Sequence, residues 1–163
     1  MSGSSNSSNS AAWFAYAVED IKSARALIDA GIYPAACFHA QQAAEKAFKG
    51  LLLFTGEPVG KIHSVAKMVG MVNELKYSEF EPLPKAGKLD VFYLTTRYPD
   101  MLPEGSSATD QYDRDDAIEA VGVAEQTFLL LAKWGANAGI DIDESVVLSV
   151  KNQDTQKNIR PKG

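Results

Sequence analysis

From Trp13 onward the apolar residues recur at helical spacing. Ala17, Ile21, Ala24, Leu27 and Ile28 fall on one face, and Gly31 follows where a helix can end through a positive φ. Ser10 stands at the expected N-cap of this first helix. Pro34 is tolerated in a first helical turn, and no breaker except Gly50 follows it, so a second long helix is predicted over 33–55. That helix is apolar on more than one side, and its many alanines permit close approach by neighbours. The first two helices should form an antiparallel hairpin.

Residues 56–61 read as a loop, after which Ser64 can cap a short third helix with Val65, Met68, Val69, Val72 and Leu75 on one face. Pro82 and Pro84 end that region. A fourth helix is predicted over 85–96, burying Leu89, Phe92 and Tyr93, and Tyr98-Pro99 interrupts it because the residue before proline is pushed out of the α region. A long loop over 100–111 precedes the last strong helix, which starts in the acidic run 113–116 and carries Ala117, Val121, Ala124, Phe128 and Leu131. Beyond Gly135 and Gly139 the pattern fades. Val146 to Val150 can form a short extra element, and 151–163 reads as a disordered tail. The expected architecture is all-α, an up-and-down bundle of four to five helices over 11–138. A Ser/Gly/Asn-rich leader over 1–10 and a largely flexible extension over 139–163 are expected to flank it.

Composition narrows the function classes. The chain of 163 residues fits one domain, with hydrophobic and charged fractions of 45% and 23% that indicate neither disorder nor a membrane protein. No apolar run approaches the ~20 residues that span a bilayer. The lone Cys37 excludes an internal disulfide, and a cytoplasmic location is expected. A net charge of −5 argues against broad nucleic-acid binding, which needs a basic face to release phosphate counterions. Neither histidine has the spacing of a di-iron or zinc site: Ala36 and Gly60 precede His39 and His63 by three. The 56–61 loop lacks the length, the Ser or Thr and the preceding strand of a phosphate-binding loop. No metal and no cofactor is expected.

Two clusters remain. Gln42, Glu45, Lys46 and Lys49 share a broad face of helix two. They are either an exposed salt-bridge stripe, with Glu45 and Lys49 in the favourable i, i+4 order, or a polar row facing a cleft or dimer seam. His39, one turn earlier, reads as an interfacial histidine. Arg97-Tyr98-Pro99-Asp100 forms the second cluster, where a guanidinium beside a chain turn can grip a carboxylate or phosphate, be neutralised by Asp100, or satisfy helix-terminal carbonyls. His63 is a further polar anchor or a loop residue.

The order Trp13, Asp20, Ala24, Gly31-x-Tyr33, then Phe38-His39-Ala40-Gln41-Gln42-Ala43-Ala44-Glu45-Lys46-Ala47-Phe48-Lys49, then His63, then Arg97-Tyr98-Pro99-Asp100 resembles the HEPN domain family over about 11–138. The resemblance implies a four-to-five-helix bundle similar to the helical C-terminal domain of aminoglycoside nucleotidyltransferases, and a homodimer. It also implies a toxin-antitoxin-like role in nucleotide or RNA transactions beside a nucleotidyltransferase partner. Many members are metal-independent ribonucleases with an arginine, four to six intervening residues and a histidine. Here Leu102, Pro103 and Glu104 occupy those positions, which removes the expected proton acceptor. The expected function is therefore a non-catalytic module that binds a nucleotide or nucleotidyltransferase through Gln42, Glu45, Lys46, Lys49, His63, Arg97, Tyr98 and Asp100. Ribonuclease activity and a purely structural dimerisation role are the alternatives.

Overall fold

A computed structural model describes residues 2–75 and 83–151 and contains only helices and turns among them. Helices α1 (Ser2–Asp29) and α2 (Tyr33–Phe54) form the expected hairpin, closed by Gly31 at φ +75°. The long helix α7 (Arg114–Ala138) packs on both. Between them lie α3 (Val65–Glu74), α4 (Leu83–Gly87), α5 (Phe92–Thr95) and α6 (Ala108–Gln111), and α8 (Glu144–Lys151) follows α7. No described helix is long and apolar enough to cross a membrane.

The core forms where the apolar faces of the three long helices meet. Phe14, Ile21, Phe48, Leu51, Leu52, Phe128 and Leu131 are fully buried, and Phe14 and Phe128 meet edge to face at 5.9 Å. Ala36, Ala40, Ala43, Ala44 and Ala47 are also fully buried, so α2 is the central element and its small residues bring α1 and α7 close. Gly50 marks the tightest approach. A Cβ there would lie 2.8 Å from the Phe14 ring and 3.1 Å from the Ser10 carbonyl oxygen.

This approach explains the first departure from expectation. The leader continues α1 instead of lying outside the fold, so Ser10 is a fully buried interior residue rather than a cap. Ser7 reinforces the join: its hydroxyl donates to Gly139 O at 3.4 Å and accepts from the Asp141 N–H at 3.3 Å. The extension departs likewise over its described part. Gly139 ends α7 in the left-handed region at φ +109°, Ile140 and Val150 are buried, and α8 packs on α7. Pro82 and the tail beyond Lys151 lie outside the described residues.

The predicted fourth helix is broken into α4, a 3-10 turn over Lys88–Val91, and α5. The cause is tertiary. Ser64 caps α3 as expected, but Asp90 caps it too, accepting from Val65 N–H at 2.7 Å, Ala66 N–H at 2.9 Å and the Ser64 hydroxyl at 2.8 Å. Turning Asp90 onto that helix end tightens its own segment, and Gly87 packs against Ala66 where a Cβ would come within 3.1 Å. Leu89 is buried, whereas Phe92 and Tyr93, expected in the core, are half-buried. The expected loop over 100–111 carries a 3-10 turn, Pro99–Met101, and the short α6.

Asp113 and Asp116 close a reciprocal capping box at the start of α7. The Asp116 backbone N–H bond holds the Asp113 carboxyl below its ordinary range. Because its folded value is depressed, this cap contributes fully above the unfolded value of ~3.9 and is lost as pH falls through the folded one. Burial, aided by Asp116, pushes the Cys37 thiol up to about 12, which removes it as a nucleophile at neutral pH.

Gly50→Ala gains about 1 kcal/mol of helix propensity but forces a methyl into a packed aromatic, which costs ~1–3 kcal/mol. Chemical denaturation should therefore show a net loss of stability. Gly60→Ala, which meets no atom within 4 Å, should stay within about 0.5 kcal/mol of the parent.

Candidate functional site

Alanines surround α2 on its packed sides, so its longer polar side chains collect at two places. The first centres on Glu45, only 4% exposed. Its Oε1 accepts from Lys49 Nζ at 2.8 Å and lies 3.1 Å from His63 Nδ1, while its Oε2 accepts from the Gln41 and Gln42 amides at 3.3 and 3.4 Å. Lys49 is equally buried, and its ammonium lies 5.4 Å from the Trp13 ring centroid. The exposed-stripe reading of this pair is thus overturned. The two residues do pair in i, i+4 order, but α1 and the loop before α3 cover them.

Gln41 locks the arrangement. It is fully buried, donates to the His63 carbonyl at 3.2 Å, and accepts from Gln42 Nε2 at 2.7 Å. An ionised carboxylate only accepts, so the proton of a neutral His63 belongs on Nδ1, leaving Nε2 as the outward lone pair of a half-exposed ring. That ring stacks on Tyr93 at 5.4 Å between centroids and 11° between planes.

Tyr93 carries the geometry onward to Arg97, one helical turn later. The Arg97 guanidinium lies 4.8 Å from the Tyr93 ring, 4.5 Å from Phe38 and 5.0 Å from Tyr98, and its Nε donates to the Tyr93 carbonyl at 2.9 Å. The side chain therefore satisfies one helix-terminal carbonyl, as one sequence reading had it. No carboxylate among the described residues lies within ion-pair distance of it, so Asp100, exposed in the same turn, does not neutralise it. Beside it opens a cavity of about 190 Å³ lined by Thr95, Thr96, Tyr98, Ser106 and Ser107.

Lys46 lies elsewhere. It pairs with Asp20 of α1 at 2.5 Å, and the same carboxylate holds His39 Nδ1 at 2.8 Å. Lys46 also lines a groove of about 370 Å³ with Trp13 and Tyr16. The row read as one face thus divides: Gln42, Glu45 and Lys49 join His63 and, through Tyr93, Arg97 and Tyr98, while Lys46 stands with Asp20 and His39. Sequence reasoning passed over Gln41 and Tyr93 as site residues. Their signals were the i, i+4 spacing to Glu45 and to Arg97.

This geometry lies within the region matched by the family profile described as HEPN domain, residues 10–134. The chain belongs to the HEPN domain family. Over 117 residues it is 28% identical to the toxin candidate MJ1304 of Methanocaldococcus jannaschii, covering 67% of this chain and 76% of that protein. Among solved structures it is similar to TT1696 of Thermus thermophilus, with 33% identity, a TM-score of 0.69 and coverage of 76% of this chain and 96% of the other. ST0689, an archaeal HEPN homologue, gives 33% identity and a TM-score of 0.61 over 76% and 94% of the two chains. The all-helical bundle expected of a HEPN chain is thus present. In this HEPN chain His63, earlier in the sequence, and Arg97 each contact the Tyr93 ring.

Removing one partner of a buried pair strands the other, at ~3–5 kcal/mol, whereas an apolar pair of similar volume is close to neutral. Glu45→Ala should therefore destabilise the fold by that amount. Glu45→Leu combined with Lys49→Met should recover most of it in urea melts while leaving His63 without its orienting carboxylate.

Proposed function

We propose that this HEPN chain is a toxin-antitoxin-like, non-catalytic cytoplasmic module that binds a nucleotide, free or presented by a nucleotidyltransferase partner, at the Arg97–Tyr93–His63 cluster. The observation that carries the reading is the Arg97 guanidinium, held by three rings and a carbonyl with its Nη groups unmatched by a carboxylate among the described residues. A planar fork fixed in this way is suited to bidentate contact with phosphate oxygens. The Tyr98 ring, 46% exposed, offers a base a stacking surface, and His63 Nε2 offers a polar contact. Gln42, Glu45 and Lys49 act by positioning His63. Asp100 supplies a further exposed acceptor at the rim, and Lys46 is a secondary contact outside the cluster. The toxin candidate MJ1304 supports the toxin-antitoxin context.

Homodimerisation belongs to the same proposal. Val91, Leu94, Tyr98 and Met101 are exposed apolar residues on the segment that carries Arg97, a composition suited to pairing.

Calorimetric titration with nucleoside triphosphates, alone and with a neighbouring nucleotidyltransferase, tests the reading. Binding should weaken at least ~10-fold in Arg97→Ala, the scale of a lost charge-assisted contact. No binding to either would overturn it.

One observation favours RNA cleavage as a second reading. A carboxylate-oriented imidazole, on the same tyrosine ring that Arg97 contacts, is a candidate for the proton acceptor that the sequence lacked after Arg97. Under it, RNA is cut in the presence of chelator and the rate falls about a hundredfold or more in His63→Ala. Intact RNA after long incubation removes this reading.

A further inference from the structure

Between the second half of α7 and α8 runs a groove of about 640 Å³. It is lined mainly by apolar side chains: Leu129, Leu130 and Val147 are half-buried, and Leu148 is 45% exposed. A contiguous apolar trough of this kind marks an interaction surface, where a lone exposed leucine would not. The α8 wall is fixed in place. Arg25 of α1 donates from Nη1 to Ser149 O at 3.2 Å and from Nη2 to Val150 O at 2.9 Å, while its Nε pairs with Glu125 at 3.1 Å. An eight-residue helix has little stability of its own, so this clamp and the burial of Val150 hold the trough open and shaped.

The rim gives the occupant its charge. Lys133 and Lys151 are exposed at the groove, against the single carboxylate of Glu144. The groove is therefore rimmed by a net positive charge in a protein whose net charge is −5. We infer that it docks an amphipathic helical segment of a partner protein, whose apolar stripe fills the trough and whose flanking carboxylates meet Lys133 and Lys151. Helix-in-groove recognition has these parts: apolar anchors spaced i, i+3, i+4 and i+7, with rim charges that set orientation and specificity. The α8 wall lies beyond the residues matched by the family, 10–134, and the surface is separate from the Arg97 cluster.

Fluorescence anisotropy on the full chain tests the inference with two labelled peptides of about 18 residues, both carrying leucines at that spacing. One has glutamates flanking the stripe and the other has lysines. The acidic peptide should bind at least ~10-fold more tightly than the basic one. Leu148→Asp, at an exposed position that leaves the thermal melt unchanged, should abolish binding. Lys133→Glu combined with Lys151→Glu should reverse the preference, and Arg97→Ala should have no effect. Equal affinity for both peptides, or binding that survives Leu148→Asp, would overturn it. So would conversion of an oligomer to monomer by Leu148→Asp in sedimentation, since that assigns the groove to a second copy.

Discussion

The structure turns on one buried carboxylate. Glu45 sits in the middle of the central helix, 4% exposed, where an unmatched negative charge would cost several kcal/mol. Four donors from α2 and from the loop before α3 meet its two oxygens. That requirement fixes more than the charge. It sets where the loop after α2 returns, because His63 must reach Oε1, and Gln41 holds the His63 carbonyl in the same step. Once His63 is placed, Tyr93 stacks on it, and Arg97 follows one turn along. A chain of contacts thus runs from a buried charge of α2 to an exposed guanidinium.

Asp20 repeats the motif with a different outcome. It too gathers a lysine and a histidine Nδ1, but Lys46 and His39 are only partly buried and connect α1 to α2 alone. The Asp20 set joins the two arms of the hairpin, whereas the Glu45 set extends from the bundle core to its surface. The difference arises from the packing around each. Small residues on α2 let α1 and α7 close over the Glu45 level, and Gly50 completes that closure one turn further on.

Much of this fold was legible in the chain because the long helices are locally consistent. Gly31, Pro34, Ser64 and Gly139 act as the boundary signals their chemistry predicts, and the alanine-rich face of α2 identified the central element. The departures have tertiary causes. Residues 2–10 carry no helical pattern, yet Ser10 is buried because a glycine lies opposite it. The helix over 85–96 breaks because Asp90 is recruited to cap a neighbour. At the site, spacing identified Glu45 and Lys49 as partners but could not give their burial, and it put Lys46 in the wrong company because the deciding partner, Asp20, is on another helix. The link from His63 through Tyr93 to Arg97 was invisible for the same reason: a shared ring connects residues that sequence order separates.

In the proposed site Glu45 holds His63 in one orientation, on the Tyr93 ring shared with Arg97, to receive an anionic ligand. Nitrogen-15 NMR of the histidine rings, recorded while a nucleoside triphosphate is added, tests this most directly. The neutral His63 ring should carry its proton on Nδ1, its Nε2 resonance should move with ligand while His39 does not, and that response should be lost in Arg97→Ala. An Nε2-protonated His63, or ligand-induced shifts confined to His39 and the Trp13 indole, would contradict it.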